Sequence, residues 1–321
     1  MTLILLIIFQ FALVQDSQPT TESNVTIAEI KTAWAKTESK TKSCRFQWTE
    51  SRHAGENEAT DFMYSVMLQN SEHLRIERMS KQFDSERKQN VTENYVTTFD
   101  AKTARSYYGW SAVDNRKYPT GFVSFKPSDW DNYHVLPILM AVRPVNKQFS
   151  PINECKYTVV AKPVVINGRE LLELRPEKPD DGKKIPRYIY YVDPDKDFVI
   201  TRVAKNLDEQ KLWQLDLSHR QHVESGCWLP DSWKLNDYSV NSSAVVKNIK
   251  AELNTEFAIN QFNFEFPKHT LITDRTFTDP LVYILCEDGR KRIVSSEERN
   301  GGIKYLDYVA AARIETRSDR D

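Results

Sequence analysis

The chain has 321 residues, 40% of them hydrophobic, with a formal net charge of −1 and a pI near 6.6. That is enough apolar material for a sizeable core, and the near-neutral balance gives no electrostatic footprint for nucleic acid. Nine glycines, with neither GxGxxG nor GxxxxGK[ST] among them, argue against a glycine-rich phosphate loop.

Leu3 to Val14 is an almost unbroken apolar run in a stretch with no charged residue before Asp16. A bilayer span needs about 20 such residues, so the run suits the core of a secretory signal over residues 1–15. The chain then reads as exported, periplasmic or otherwise outside the cytoplasm, and soluble after cleavage. The other reading is a buried N-terminal strand or helix. Residues 16–25 are polar and read as a disordered leader. Thr26 and Glu29 form a capping box, and Ile27, Ile30 and Trp34 repeat at helical spacing, which predicts a helix from Thr26 to Thr37.

Strand alternation follows. Cys44, Phe46 and Trp48 share one parity; Phe62, Tyr64, Val66 and Leu68 alternate next; His73–Met79 and Tyr95–Asp100 continue an antiparallel meander. The charged stretch Ser80–Glu93 between the last two reads as a mobile loop. Arg105–Trp110 carries Tyr107, Tyr108 and Trp110. The rhythm then breaks over residues 128–143. Ser128 or Asp129 can cap a helix with Trp130 and Tyr133, running into the apolar block of Val135, Leu136, Pro137, Ile138, Leu139, Met140, Ala141 and Val142. An amphipathic helix cannot turn all of these toward one core. The insertion is therefore either a core helix kinked at Pro137 or a lid over an apolar cavity, with Val135, Leu136, Ile138, Leu139 and Met140 as its covering face.

The meander resumes at Tyr157–Ile166 and turns back at Asn167-Gly168, a type I′ hairpin signal. Tyr188–Val192 and Phe198–Ala204 pair across Asp193-Pro194-Asp195-Lys196, and Trp213, Leu215 and Leu217 alternate with Gln214, Asp216 and Ser218. Val246–Phe266 reads as one long strand with its parity switching at Asn260-Gln261, where a bulge is expected. Thr270–Asp274 and a hairpin over residues 280–295 close one domain spanning 26–310, and residues 311–321 form a charged, frayed tail. Cys44, Cys155, Cys227 and Cys286 contain no CxxC pair, so they are either disulfide partners or separate buried thiols.

The export signal, the helix leading into Thr41-Lys42-Ser43-Cys44-Arg45-Phe46-Gln47-Trp48, Tyr191-Val192-Asp193-Pro194 before Phe198-Val199-Ile200-Thr201-Arg202, and Phe264-Glu265-Phe266-Pro267 together resemble the periplasmic lipoprotein carrier superfamily (LolA/LolB-like). Among its members the chain looks most like the divergent outer-membrane lipoprotein-sorting proteins. The resemblance implies a mainly β fold with packed helices, in which a single curved antiparallel sheet forms an incomplete barrel around a helix. It also implies an apolar cavity for acyl chains. Tyr64, Val66, Trp213, Leu215 and Leu253 are the residues expected to line it, holding an acyl chain or lipoprotein-like ligand without covalent attachment. The superfamily's Arg-Pro-Gly run has no counterpart here. Arg75 or Arg78, in His73-Leu74-Arg75-Ile76-Glu77-Arg78, is the candidate for its lid-latching arginine. An envelope protein partner and peripheral membrane contact fit the same reading; no cofactor and no nucleic acid do.

No enzyme signature competes. His219 and His222 lie three apart, which on a strand sends them to opposite faces, so no metal is expected there. GxSxG and HExxH are both absent, and Gly226-Cys227-Trp228 offers a thiol with no basic pair beside it. The competing reading is an envelope protein, structural or interacting with others, in which the same apolar faces make a dry core.

Overall fold

The computed structural model describes residues 24–55, 59–70, 72–84, 88–110, 118–127, 134–149, 152, 156–177, 187–208, 210–301 and 304–318. The segments expected to form a signal and most of a leader, the start of the expected insertion and Cys155 lie outside these residues. Helix α1 (Ile27–Lys40) begins as its capping box demands. The Thr26 hydroxyl accepts the Glu29 amide at 3.3 Å, and the Glu29 carboxylate accepts the Thr26 amide at 2.7 Å. Ile30 and Trp34, one face of this helix, are buried, and the Trp34 indole donates to the Phe198 carbonyl at 2.8 Å.

Antiparallel strands follow: β1 (Ser43–Ala54), β2 (Thr60–Gln69), β3 (His73–Asp84), β4 (Gln89–Asp100), β5 (Ala104–Tyr108) and β6 (Thr120–Ser124). Then comes helix α2 (Leu136–Val142), and after it β7 (Tyr157–Val159), β8 (Val164–Ile166), β9 (Arg169–Pro176), β10 (Arg187–Asp193), β11 (Val199–Leu207), β12 (Gln210–Gln221), β13 (Trp228–Asp237) and β14 (Ser242–Leu253). The chain closes with β15 (Leu271–Asp274), β16 (Leu281–Leu285), β17 (Lys291–Ile293), α3 (Ser296–Asn300) and α4 (Tyr305–Ser318).

Each strand pairs with its sequence neighbour from β1 to β6 and from β9 to β14, and the two halves meet where β1 lies antiparallel to β14. The result is one large, open, mainly antiparallel sheet with few helices, as the sequence implied. One pairing is parallel, β15 beside β6, with Ile272 opposite Gly121. Asn167 and Gly168 both have positive φ, 53° and 76°, as the type I′ turn between β8 and β9 requires.

Three expectations need correction. Ser80–Glu93 is mostly ladder: β3 and β4 pair without a break from His73 opposite Asp100 to Asp84 opposite Gln89, because Ser80 and Glu93 point inward and are buried. The long strand ends at Leu253, where Asn254 takes φ 54° and turns the chain; residues 259–262 make a 3-10 turn. The parity switch falls earlier, at Asn248 (φ 56°), where the β1–β14 register shifts opposite Trp48. Ala244 and Val246 are buried before it and Ile249 after it. Helix α4, finally, runs through Ala312, where no element was expected.

The segment after Leu253 is a strap across the outer face. Phe262 packs on Phe257 and His73, Arg75 donates to the Gln261 carbonyl at 2.8 Å, and Arg105 donates to the Asn263 side chain at 2.8 Å. The Phe262, Phe264 and Phe266 alternation serves this packing and no ladder. The strap ends with Phe266 lying directly on Gly121, where a Cβ would stand 2.6 Å from the ring. Gly121→Ala should therefore destabilise the protein by ~1–3 kcal/mol, as overpacking does. The check is chemical denaturation of Gly121→Ala alone and with Phe266→Leu. The second change should return part of the loss, and a cost unchanged by it would place the strain elsewhere.

Candidate functional site

The inner face of the sheet is built in rows fixed by register. One row reads Phe46, Val66, Ile76, Thr97, Ser106 and Phe122; the next reads Trp48, Tyr64, Arg78, Tyr95, Tyr108 and Thr120; a third runs from Glu50 through Phe62 and Ser80 to Glu93. The face thus grades from apolar to charged along the strands. Beyond β1, Val246, Trp233, Leu217, Leu215 and Val203 carry the apolar surface across the other half.

This surface is covered. Ile30 and Trp34 of α1 and the apolar block from Val135 to Val142, Pro137 apart, belong to one buried core with Tyr64, Val66, Trp213 and Leu215, and these last four are each no more than 4% exposed. Leu253 is partly buried at its margin. The residues expected to line a cavity are therefore brought together, and α2 is packed with them, over β13 and β11 and against α1. Every residue of α2 is buried, and Pro137 occupies its first turn without a side-chain cap. Tyr64 also borders a cavity of about 430 Å³ beside Trp48, Met63, Met79 and Asn248, where the bulge parts β1 from β14.

The charged end of the face holds Arg78 and Tyr64, which the sequence reading named, together with Glu50, Arg52, Glu93 and His134, which it missed. Arg52 reaches the Glu50 carboxylate, the Tyr64 hydroxyl and, at 2.8 Å, Nδ1 of His134, the residue before the apolar block. Its guanidinium also sits 4.3 Å from the Phe62 centroid. Arg78 pairs with Glu93, both almost fully buried, and Ser80 donates to the same carboxylate at 3.1 Å. Tyr64 stacks on Trp48 at 4.9 Å, and burial pushes its phenol well above the usual range. Of the two proposed latches, Arg75 is on the opposite face, paired with Glu77 and the strap, because it has the other parity in β3. Arg78 is inside, where its charge acts on His134. The arginine that bonds the entrance of the helix is Arg52.

The exit of α2 is held by Arg143. All five of its N–H directions are used: Nε donates to the Asn70 carbonyl at 3.0 Å, Nη1 to the Thr41 hydroxyl at 2.9 Å and the Val142 carbonyl at 2.6 Å, and Nη2 to the carbonyls of Thr41 and Lys42. A buried guanidinium so bonded ties the end of α1, the start of β1, the β2–β3 turn and α2 into one node. Cys44 lies beside it, and burial pushes its thiol up to about 12. Cys44 and Cys227 are free and buried, so separate thiols, not a disulfide, is the correct reading for these two; Cys286 is buried as well. Among the described residues no group of three or more His, Cys, Asp or Glu side chains gathers as for a metal. No described helix is long and apolar enough to cross a membrane.

No protein-family model matches the chain, and no curated protein does. Among solved structures it is similar to a domain assigned to outer membrane lipoprotein sorting from Vibrio parahaemolyticus: 10% identity, TM-score 0.47, 72% of this chain and 95% of that one covered. It is also similar to a LolA superfamily protein from Nitrosomonas europaea: 10% identity, TM-score 0.44, coverage 75% and 98%. A DUF1329 family protein from Desulfovibrio piger matches at 12% identity and TM-score 0.40, with 74% and 96% covered.

His134 gives the site a pH dependence. Burial first, then the charges of Arg52 and Arg78, holds its pKa well below 6.5, and the Arg52 N–H already occupies the Nδ1 lone pair. The unfolded chain takes up a proton near pH 6.5 while the folded chain resists it. Stability from this group is thus complete above that pH and declines as the pH falls below it. His134→Gln should flatten the fall of the unfolding midpoint between pH 7 and pH 5 relative to the unaltered chain. Parallel curves for the two proteins would remove His134 as the titrating group.

Proposed function

We propose that the protein is an exported carrier or receptor for an acyl-chain ligand, of lipid or lipoprotein type, held non-covalently against the inner face of the sheet in the place α2 occupies. The observation that carries this reading is α2 itself. A helix of seven residues has almost no stability of its own, since nucleation is costly and few hydrogen bonds repay it. What holds α2 is burial of Leu136, Ile138, Leu139 and Met140, together with side-chain ties at its two ends. An acyl chain gains about 0.8 kcal/mol per buried methylene on a surface of the same kind, so a ligand can replace the helix at little net cost. Tyr64, Val66, Trp213 and Leu215 then become its walls. The polar row of Glu50, Arg52, Arg78 and Glu93 stands at one end, where a headgroup would stop.

The dry-core reading has its own support in the full burial of those same residues. One variant separates the two. In a carrier, Leu139→Glu releases the helix and frees the inner face, so a fluorescent fatty acid binds more tightly while the sheet stays folded. In a dry core, the carboxylate is buried unpaired and the unfolding midpoint collapses, a loss of several kcal/mol. Native mass spectrometry of the protein purified from its own envelope completes the test. Co-purifying lipid is expected, and its absence together with no affinity for fatty-acid probes would overturn the proposal.

A further inference from the structure

The outer face of the second half carries a feature the acyl-chain reading does not use. The β8–β9 hairpin folds over β11–β14, and Ile166, Asn167, Arg169 and Leu171 roof a cavity of about 530 Å³. Its floor follows from register. Arg202, Asp216 and Lys234 are direct neighbours on successive strands, Ser218 faces Ser232 across the next step, and Lys247 borders the same space. Lys196 closes one side.

The charges there do not balance. Five cations, Arg169, Lys196, Arg202, Lys234 and Lys247, line the cavity with a single carboxylate, Asp216. Asp216 is taken by Arg202, and Asp193 behind the wall meets Arg169 at 3.3 Å and Lys196 at 3.8 Å. Lys234 and Lys247 make no ion pair among the described residues. In a chain of net charge −1, this is a local concentration of positive charge inside a concave site. Arg202 and Lys196 are largely covered, so their fields are less screened than those of exposed lysines.

A second observation stands apart from the count of charges. The β12–β13 register shifts between Ser218 and His219, and the shift brings the His219 ring to the same wall. Both of its ring nitrogens are buried without a hydrogen-bond partner, a state that is costly unless an acceptor or donor arrives. Burial and the charge of Lys196 hold the ring neutral, with its pKa down to about 3. One nitrogen is therefore an N–H donor in need of an acceptor, which a small turn of the ring would present to the cavity.

We infer that this cavity binds a phosphate-bearing anion. A tetrahedral dianion matches two unpaired lysines on adjacent strands, the Ser218 and Ser232 hydroxyls that line the same cavity and the His219 donor. A single carboxylate would leave part of this set unused. The volume is that of a small-molecule site. The phosphate can come from a soluble phosphorylated compound or from the headgroup of an anionic lipid. The site does not rest on the acyl-chain reading, since it lies on the other face of the sheet.

Calorimetric titration of the full chain with inorganic pyrophosphate, and flotation with phosphatidylcholine vesicles with and without phosphatidylglycerol, test the inference. Saturable pyrophosphate binding points to a soluble ligand; binding only to the phosphatidylglycerol vesicles points to a headgroup. In either case Lys234→Gln with Lys247→Gln should weaken binding about tenfold, ~1.4 kcal/mol, and added salt should weaken it further. Both lysines are exposed, so the unfolding midpoint and fatty-acid binding should not move. His219→Gln should keep a share of the affinity that His219→Leu loses. No binding to either probe, or binding indifferent to the lysine pair, would overturn the site.

Discussion

The structure depends on one constraint: a long sheet with an apolar inner face must have that face covered. The strands alternate cleanly, so nearly every large inward side chain from Phe46 to Trp233 would meet water if the face were bare. At ~25 cal/mol per Å² of apolar surface, no ladder of hydrogen bonds offsets such exposure. The chain supplies cover from two places far apart in sequence, α1 before the first strand and α2 between the halves. Both reach the same core because β1 and β14 pair, which brings the two half-sheets into one concave surface. The bulge at Asn248 belongs to the same requirement. Without its extra residue, Ile249 and Leu253 would fall on the wrong face after Ala244 and Val246.

Covering the outer face follows different rules. There the cover is local: the strap of residues 254–270 over β2–β6, and the β8–β9 hairpin over β11–β14. The strap is fitted closely, with Phe266 against Gly121, whereas the hairpin leaves space beneath it. Close fit on one half and a charged hollow on the other explain why the two ends of one sheet have such different surfaces.

Much of this was legible in the sequence. Period-2 runs located most of the inner-face strands, the Thr26–Glu29 box located α1, and Asn167-Gly168 located a hairpin. What misled was reading polarity as exposure. Ser80–Glu93 looked like a loop because it is charged, yet Arg78 and Ser80 continue the inward parity of Leu74 and Ile76, Glu93 continues that of Tyr95, Thr97 and Phe99, and the three satisfy one another inside. Glu50 and Arg52 likewise continue the parity of Cys44, Phe46 and Trp48, a signal that was present and unused. The Phe262, Phe264 and Phe266 alternation misled in the opposite sense: a strap packing against a sheet and a strand within it both bury every second residue, and only the backbone at Asn254 distinguishes them. Arg143 could not have been found by pattern. Its partners are backbone carbonyls, which every residue has.

The two ties of α2 differ in kind, and that difference bears on how such a helix would leave. Arg143 bonds four carbonyls and a hydroxyl, none of which titrates near neutral pH, and a guanidinium does not lose its proton. The tie at the entrance includes an Arg52–His134 bond that exists only while the imidazole is neutral. A proton on His134 would leave three cations together with Glu50 and Glu93 and turn an acceptor into a donor facing a donor. Under the proposed carrier reading the entrance would yield first, and the helix would swing about Arg143 instead of detaching. In such a motion Leu136 and Ile138, near the entrance, travel furthest from the sheet, while Val142 stays at the node. The proposed function then has the freed surface open beside the charged residues, so that an amphipathic ligand would enter with its apolar end first and come to rest with its polar end against Arg52 and Arg78.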